Sequence, residues 1–263
     1  RIARLGRHCM LFHGKQMQNA PPVKELVVDG FETFELSQYY PFHINLAVEK
    51  HTDFIVYFTD SELRRKGRMT DYQKRRRDQL EGEFGRPDPR AIQKGMRELL
   101  EVSLKGTSGA IVYSDDHPSY PPAIRGVPCR ITHRVTSSKV RRTRSNPLWE
   151  VNLADLLIRH SESNHKRETI AWSKRRQAAL ERLFPFLLWR NYIKRRREKV
   201  RGSPTPAMTR GMTPSVSKID DILAARIFRD HVDLPPRWSQ YYQRSIETRA
   251  LGPHRYHNLK YAY

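Results

Sequence analysis

Short apolar runs that end on acids constrain this chain more than any other feature. Leu26-Val27-Val28 leads into Asp29, and Ala110–Tyr113 leads through a serine into Asp115 and Asp116. Runs this brief, bounded by charge, read as strands rather than helices, the first of them spanning Val23–Asp29. Between the two lie Phe42–Val48, where apolar and polar residues alternate, and Phe54–Phe58, which is wholly apolar and rich in β-branched and aromatic side chains. The polar turn Glu49–Asp53 joins them, so three strands come in succession.

Pro89–Leu104 then reads as a helix opened by its proline, with Ile92, Met96, Leu99 and Leu100 on one face and Gly106 and Gly109 beyond its end. The strand Ala110–Tyr113 follows, then a turn or short helix at Pro118–Ile124, and a fifth strand at Cys129–Val135. Asn152–His165 has helical spacing, and Glu168–Lys199 continues as one or two helices that Pro185 kinks or splits. Three strands, a helix, a strand, a turn, a strand and long helices is the order of a ribonuclease-H-like domain. The expected fold is therefore α/β: a mixed five-stranded sheet flanked by helices over residues 23–200, interrupted by a basic insertion or mobile loop at 63–88. Residues 1–22 read as a basic helix, with Ile2, Leu5, Cys9 and Phe12 on one face, stopped by Ala20-Pro21-Pro22. We take it as the remnant of an N-terminal DNA-binding module; the opening residue is Arg1 rather than Met, so a preceding segment is expected. Residues 201–263 read as a basic, partly helical extension: a Ser/Pro/Thr/Met linker from Gly202 to Pro214, a helix at Ile219–His231, and a Tyr-rich tail expected on the surface.

Charge points to the partner. The 49 Lys+Arg against 28 Asp+Glu leave +21, more than solubility requires, and the default partner of such an excess is a polyanion. Three basic runs are candidate DNA contacts: Arg64, Arg65, Lys66, Arg75 and Arg76; then Arg141, Arg142 and Arg144; then Arg190, Lys194, Arg195, Arg196 and Arg197. In the third run Trp189 and Tyr192 either stack on bases or, with Ile193, form the core face of a helix. No stretch of ~18 apolar residues exists to cross a membrane, and no apolar signal core follows the first charges. Cys9 and Cys129 could pair, but a reduced intracellular pair of small buried residues is expected, and no CxxC or Cys/His cluster makes a zinc site. His160 and His165, five apart, are poorly spaced as ligands on one face. No Gly-rich phosphate loop suggests ATP chemistry. The expected location is the cytoplasm, on the nucleoid.

Asp29 and Asp115 carry the argument about chemistry. In a ribonuclease-H arrangement the first and fourth strands are neighbours, which brings the two carboxylates together. Oxygen ligands suit hard cations such as Mg²⁺ or Mn²⁺, and two such ions, ~3.5–4 Å apart, serve phosphodiester chemistry. One acid after a strand is ordinarily a turn residue; two in this strand order, on so basic a chain, point to a metal site. A third acid is expected from the helix after the fifth strand, where Glu150, Asp155 and Glu168 are on offer, 35, 40 and 53 residues beyond Asp115. The helix dipole alone explains an acid such as Asp155 in a first turn, and Glu168 has Arg167 and Arg175 for surface partners. Spacing does not choose among them.

VVDGFETF, IVYSDDHPSY and ADLLIRHSESNHKRETIAWSKRR, taken together, resemble the catalytic domain of insertion-sequence transposases with an Asp-Asp-Glu site, most nearly the insertion-sequence-one group. The likeness covers residues 23–200. It includes the aromatic-containing turn Asp115–Tyr120, the Leu-Arg-like pair Ile158-Arg159, and the run Arg167–Ser173; TPAMTRGM at Thr205–Met212 adds to it. The resemblance implies metal-dependent cleavage of double-stranded DNA at element ends and strand transfer into target DNA by a homodimer or larger assembly, with Asp29 and Asp115 as the first two ligands of two Mg²⁺ or Mn²⁺ ions. The family's glutamate would fall near Asn152, which is no carboxylate. Asp155 is therefore placed first for the third ligand, on the helix and facing the strand ends, with Glu150 second and Glu168 third. Two alternatives stand beside this expectation: a nuclease or resolvase of the same fold that cuts without joining, and a nucleic-acid-binding protein without catalysis.

Overall fold

A computed structural model describes residues 1–166 and 169–252 of the chain. Its elements run α1 (Ile2–Gln18), β1 (Glu25–Phe34), β2 (Pro41–Glu49), β3 (Phe54–Glu62), α2 (Asp71–Phe84), α3 (Ala91–Ser103), β4 (Gly109–Ser114), α4 (Tyr120–Arg125), β5 (Arg130–Val135), α5 (Trp149–Ser161), α6 (Arg176–Leu188), α7 (Pro206–Thr209), α8 (Ile219–Ala224) and α9 (Pro236–Gln243). The five strands lie in the order β3-β2-β1-β4-β5. β1, β2 and β3 pair antiparallel, while β4 runs parallel to β1 and β5 parallel to β4. This is the mixed sheet of the ribonuclease-H-like fold.

Alternation along the strands assigns the two faces. Asn45 and Thr59 turn toward α3, where Asn45 bonds the Thr59 and Ser61 hydroxyls and Thr59 donates to the Gly95 carbonyl. A side chain at Gly95 would overlap this network, so α3 sits directly on the sheet. On the opposite face Phe31 meets the ring of His165, just beyond α5.

Three expectations change. β1 does not end at Asp29: it runs on to Phe34, and Asp29 pairs with Leu46 of β2 in mid-strand. An acid and a glycine are tolerated there because β4 has already left β1, the last paired residues being Val27 and Tyr113. The basic insertion is not a bare loop but carries α2, which opens with a reciprocal Thr70–Gln73 cap and buries Leu80. The C-terminal segment is not confined to the surface. Thr205, Ala207 and Arg210 are buried, as are Trp238, Tyr241, Ile246 and Leu251. The Trp238 indole donates to the Phe58 carbonyl and its ring lies 4.7 Å from Phe184. Sequence polarity hid this because the contacts come from single aromatics spaced among charges, not from a periodic apolar face.

α6 passes Pro185 without ending, and the chain then widens into a π-type turn at Trp189–Ile193. Proline at 185 has no N–H for the Glu181 carbonyl, and it is this carbonyl that lies against Gly6 of α1, so closely that a Cβ there would overlap it. α1 is thereby packed onto α6, with Cys9, Met10 and Leu11 in the common core. Both cysteines are free thiols, and burial pushes the Cys9 thiol up to about 12.

Candidate active site

The first two acids follow just beyond the last paired residues of two neighbouring strands. Glu25 pairs with Ile111 and Val27 with Tyr113, and β4 diverges beyond them; Asp29 lies two residues past the last pair on β1, and Asp115 two residues past it on the chain leaving β4. Burial first, and then the charge of Asp115, push the Asp29 carboxyl up to about 6, with a further contribution from Asp155. The backbone N–H of Gly30 and the guanidinium of Arg142 act in the other direction. Asp29 therefore feels two other carboxylates across this end of the sheet. Asp116, by contrast, is exposed and accepts from the Ser138 backbone N–H, turned toward the loop after β5.

α5 is held at both ends, which aims Asp155 at the cleft. At its start Glu150 is buried and spent: Lys50 Nζ donates to its Oε2 at 2.8 Å, and the His51 N–H to its Oε1 at 3.1 Å, tying the helix to the β2–β3 turn. At its end Arg159 donates to the His165 carbonyl and lies over the Phe31 ring, and His165 meets Thr33 of β1. Between these anchors Asp155 lines a cleft of ≈ 330 Å³ with Asp29, Glu32, Arg142, Arg159 and Lys166. Its Oδ1 accepts from Arg159 Nε at 2.9 Å. Of the candidates for the third acid, then, Asp155 shares the cleft with Asp29, Glu150 is an anchor on Lys50, and Glu168 lies outside the described residues.

The turn after β4 serves both first acids. Asp115 accepts from the His117 N–H at 3.0 Å, and the chain comes back so that the buried Tyr120 hydroxyl donates to Asp29 Oδ1 at 3.4 Å. His117 packs on the Tyr120 ring. Tyr120 stood in the sequence as part of a turn, without a role; its i+5 position after Asp115 was the one available signal. On the far side of the sheet, His43 fills the space beside Gly30 that a side chain there would need. Burial lowers His43 to about 4. It is neutral near pH 7 and adds no charge beneath the acids.

The basic residues divide. Arg142 is exposed and lines the cleft; Arg141 and Arg144 are exposed in the same loop. Arg65 and Lys66 act on Glu32 at the rim, and Lys66 also on His117. Arg64 is engaged by Glu81 and Asp78, and Arg76 donates to Gln79 while Arg75 is exposed. The third run is mostly structural. Arg190 is 2% exposed, which removes it from any surface contact, and it pairs with Asp53. Arg196 pairs with the same Asp53, Lys194 with Glu198, and Arg195 donates to the Ser203 carbonyl; Arg197 is exposed. Tyr192 is buried between Phe12 and Phe54, which settles its aromatic role as core.

The donor chemistry fits a hard divalent cation, since the acids supply only oxygens and their mutual repulsion is relieved by positive charge. Among the described residues no three His, Cys, Asp or Glu side chains are already gathered at metal-binding distance, and Asp155 is turned onto Arg159.

Fold and cleft together define an α/β protein of ribonuclease-H-like topology with an acidic cluster at the end of its β1–β4 seam. No protein-family model matches the chain, nor does any curated protein. Among solved structures it is similar to a chain in the simian T-cell lymphotropic virus intasome in complex with PP2A regulatory subunit B56 gamma, at 11% identity and a TM-score of 0.31, over 79% of this chain and 61% of that one. It thus spans about three fifths of that chain's length. It is also similar to the catalytic domain of Mos1 mariner transposase, at 10% identity and a TM-score of 0.26 over 72% of this chain and 91% of that one. Mos1 transposase catalytic domain with raltegravir and Mg gives 9% and 0.24, over 72% and 92%.

Proposed function

We propose that the chain is a DNA transposase of the insertion-sequence-one type, cutting phosphodiester bonds at element ends and joining the freed 3′-hydroxyl to target DNA. The observation that supports this reading is the electrostatic coupling of Asp29 to Asp115, just past the last β1–β4 pair, with Asp29 and Asp155 lining a cleft rimmed by arginine and lysine. Asp29, Asp115 and Asp155 would hold Mg²⁺ or Mn²⁺. When bound, such ions lower the pKa of the attacking water or hydroxyl and neutralise charge on the phosphate being cut. Tyr120 steadies the Asp29 carboxylate, and Arg142 and Lys166 hold the phosphates at the mouth. Asp155 joins the other acids by exchanging Arg159, which then faces the nucleic-acid backbone. A second reading, DNA binding without cleavage, is favoured by the Asp155–Arg159 ion pair and by Asn152 standing where the resembled family has its glutamate.

The test is Mn²⁺- or Mg²⁺-dependent nicking and strand joining of duplex DNA by the chain, beside Asp29→Ala, Asp115→Ala and Asp155→Ala. Metal-dependent cutting that each substitution lowers at least 100-fold, with Glu150→Gln retaining activity, is expected. Cutting that survives Asp29→Ala would overturn the site, and DNA binding with no cutting under any metal would favour the second reading.

A further inference from the structure

The exposed face of α2 has no structural work that its residues explain. Gln73, Arg77, Leu80 and Phe84 turn inward at helical spacing and fasten the helix to the body. Tyr72, Arg75 and Gln79, at i, i+3 and i+7, form the outer face, with the half-buried Arg76 at its edge donating to Gln79. Tyr72 is 69% exposed, the most exposed tyrosine ring among the described residues outside any aromatic contact. Three of the helix's four acids are taken: Glu81 by Arg64 and Arg77, Asp78 by the same two arginines, and Asp71 by Lys74; Glu83, near its C-terminal end, makes no ion pair among the described residues. Arg68, Arg75 and Arg76 are left with no carboxylate at ion-pair distance among the described residues. Like charges gathered this way repel, and a polyanion relieves the repulsion.

The strip also leads somewhere. Arg77 donates to the Arg65 carbonyl, which ties the helix to the loop before it. That loop's Arg65 and Lys66 act on Glu32, a wall of the acidic cleft, and Lys66 acts on His117 beside Asp115. We infer that α2 and the 65–68 loop form a track for unpaired DNA entering or leaving the cleft, with Tyr72 stacking on a base and Arg68, Arg75 and Arg76 on successive phosphates. The inference rests on the reading of the cleft as a DNA-processing site. A single strand fits better than a duplex because an exposed ring at this position offers a stacking face, and a duplex keeps its bases stacked on one another.

Fluorescence anisotropy in EDTA tests it without catalysis. The probes are a labelled 20-nucleotide oligo-dT, a labelled 20-base-pair duplex and a labelled RNA hairpin, each titrated with the wild-type chain, Tyr72→Ala, Tyr72→Phe and Arg75→Ala/Arg76→Ala. Tyr72→Ala is expected to weaken oligo-dT binding about 5- to 100-fold, the effect of losing one base stack, and to leave duplex binding within about twofold. Tyr72→Phe keeps the ring and is expected to bind like wild type. The double arginine variant should weaken binding and lower the slope of log K against log salt by about 1.4 on oligo-dT. Oligo-dT affinity unchanged in Tyr72→Ala, with wild type binding both DNAs, would overturn the track and leave the cleft reading intact. Wild-type chain that binds no DNA, or prefers the RNA hairpin, would overturn both.

Discussion

At the scale of single residues, Asp29 is the most informative side chain. Its carboxyl is raised to about 6 by burial and by Asp115, so the folded, metal-free chain holds a proton there that the unfolded chain releases nearer pH 4. The sign follows directly. Stability contributed through this group is present at low pH and is lost as pH rises from about 4 through about 6. Activity that needs the carboxylate runs the other way and falls as pH drops, in a range that a bound cation sets below the metal-free value. Asp29→Asn is therefore expected to raise the metal-free melting temperature while abolishing cutting, and thermal denaturation in EDTA checks it; a lower melting temperature would contradict the repulsion argument. Tyr120→Phe removes a donor to the ionised form. The acidic limb of the pH–rate profile is expected to move upward by about 0.5–1 pH unit, and an unmoved limb would reduce Tyr120 to a packing role.

At the scale of elements, two junctions hold the helices to the sheet. Gly6 lets α1 approach the Glu181 carbonyl that Pro185 leaves without its helical donor. Gly6→Ala must push backbone against backbone, and overpacking of this kind costs about 1–3 kcal/mol, readable as a shift in the urea midpoint. The second junction is a buried charge cluster at the start of α6. Arg176 pairs with Glu35, Asp60 and Glu62, while Tyr241 and Thr248 from the C-terminal segment bond Asp60 and Glu35. Burial works to raise the Asp60 carboxyl, but Arg176, Arg237 and the Tyr241 hydroxyl outweigh it and hold the group below its ordinary value. Its share of stability is present above pH about 4 and is lost as pH falls through the depressed pKa. Arg176→Met strands three acids and is expected to destabilise by about 3–5 kcal/mol, measured by the same denaturation.

At the scale of the whole molecule, the C-terminal segment closes the fold. Trp238, Tyr241 and Leu251 are buried, and Trp238 and Tyr241 bond β3 directly. A chain ended after Val232 is expected to lose its cooperative thermal transition, because Tyr57, Phe58 and the Asp60 cluster would open to water; a transition at the wild-type temperature would show the segment to be dispensable. Strand positions were legible in the sequence because short apolar runs between polar turns have few other solutions. Asp29 and Asp115 were legible as a neighbouring pair of acids, since acids beside buried strands stand out. The continuation of β1 to Phe34 was not, because the polar residues Asp29, Gly30 and Glu32 interrupt its apolar pattern and are accommodated only where β4 diverges. Nor was the division of the arginines, which depends on whether a carboxylate from a distant element reaches them: Asp53 takes Arg190 and Arg196, while no acid among the described residues takes Arg75.

The sequence by itself determined the class of fold and the basic character, and singled out Asp29 and Asp115 as candidates, all of which follow from local patterns of polarity and charge. Only the tertiary structure separated Glu150 from Asp155, putting the first against Lys50 and the second in the cleft with Asp29, because that depends on which end of α5 meets the β2–β3 turn. It also brought Tyr120 to Asp29 and placed Tyr192 in the core while leaving Tyr72 in water. Those are matters of direction, and direction is set when helices pack on a sheet, a step that residue order along the chain does not encode locally.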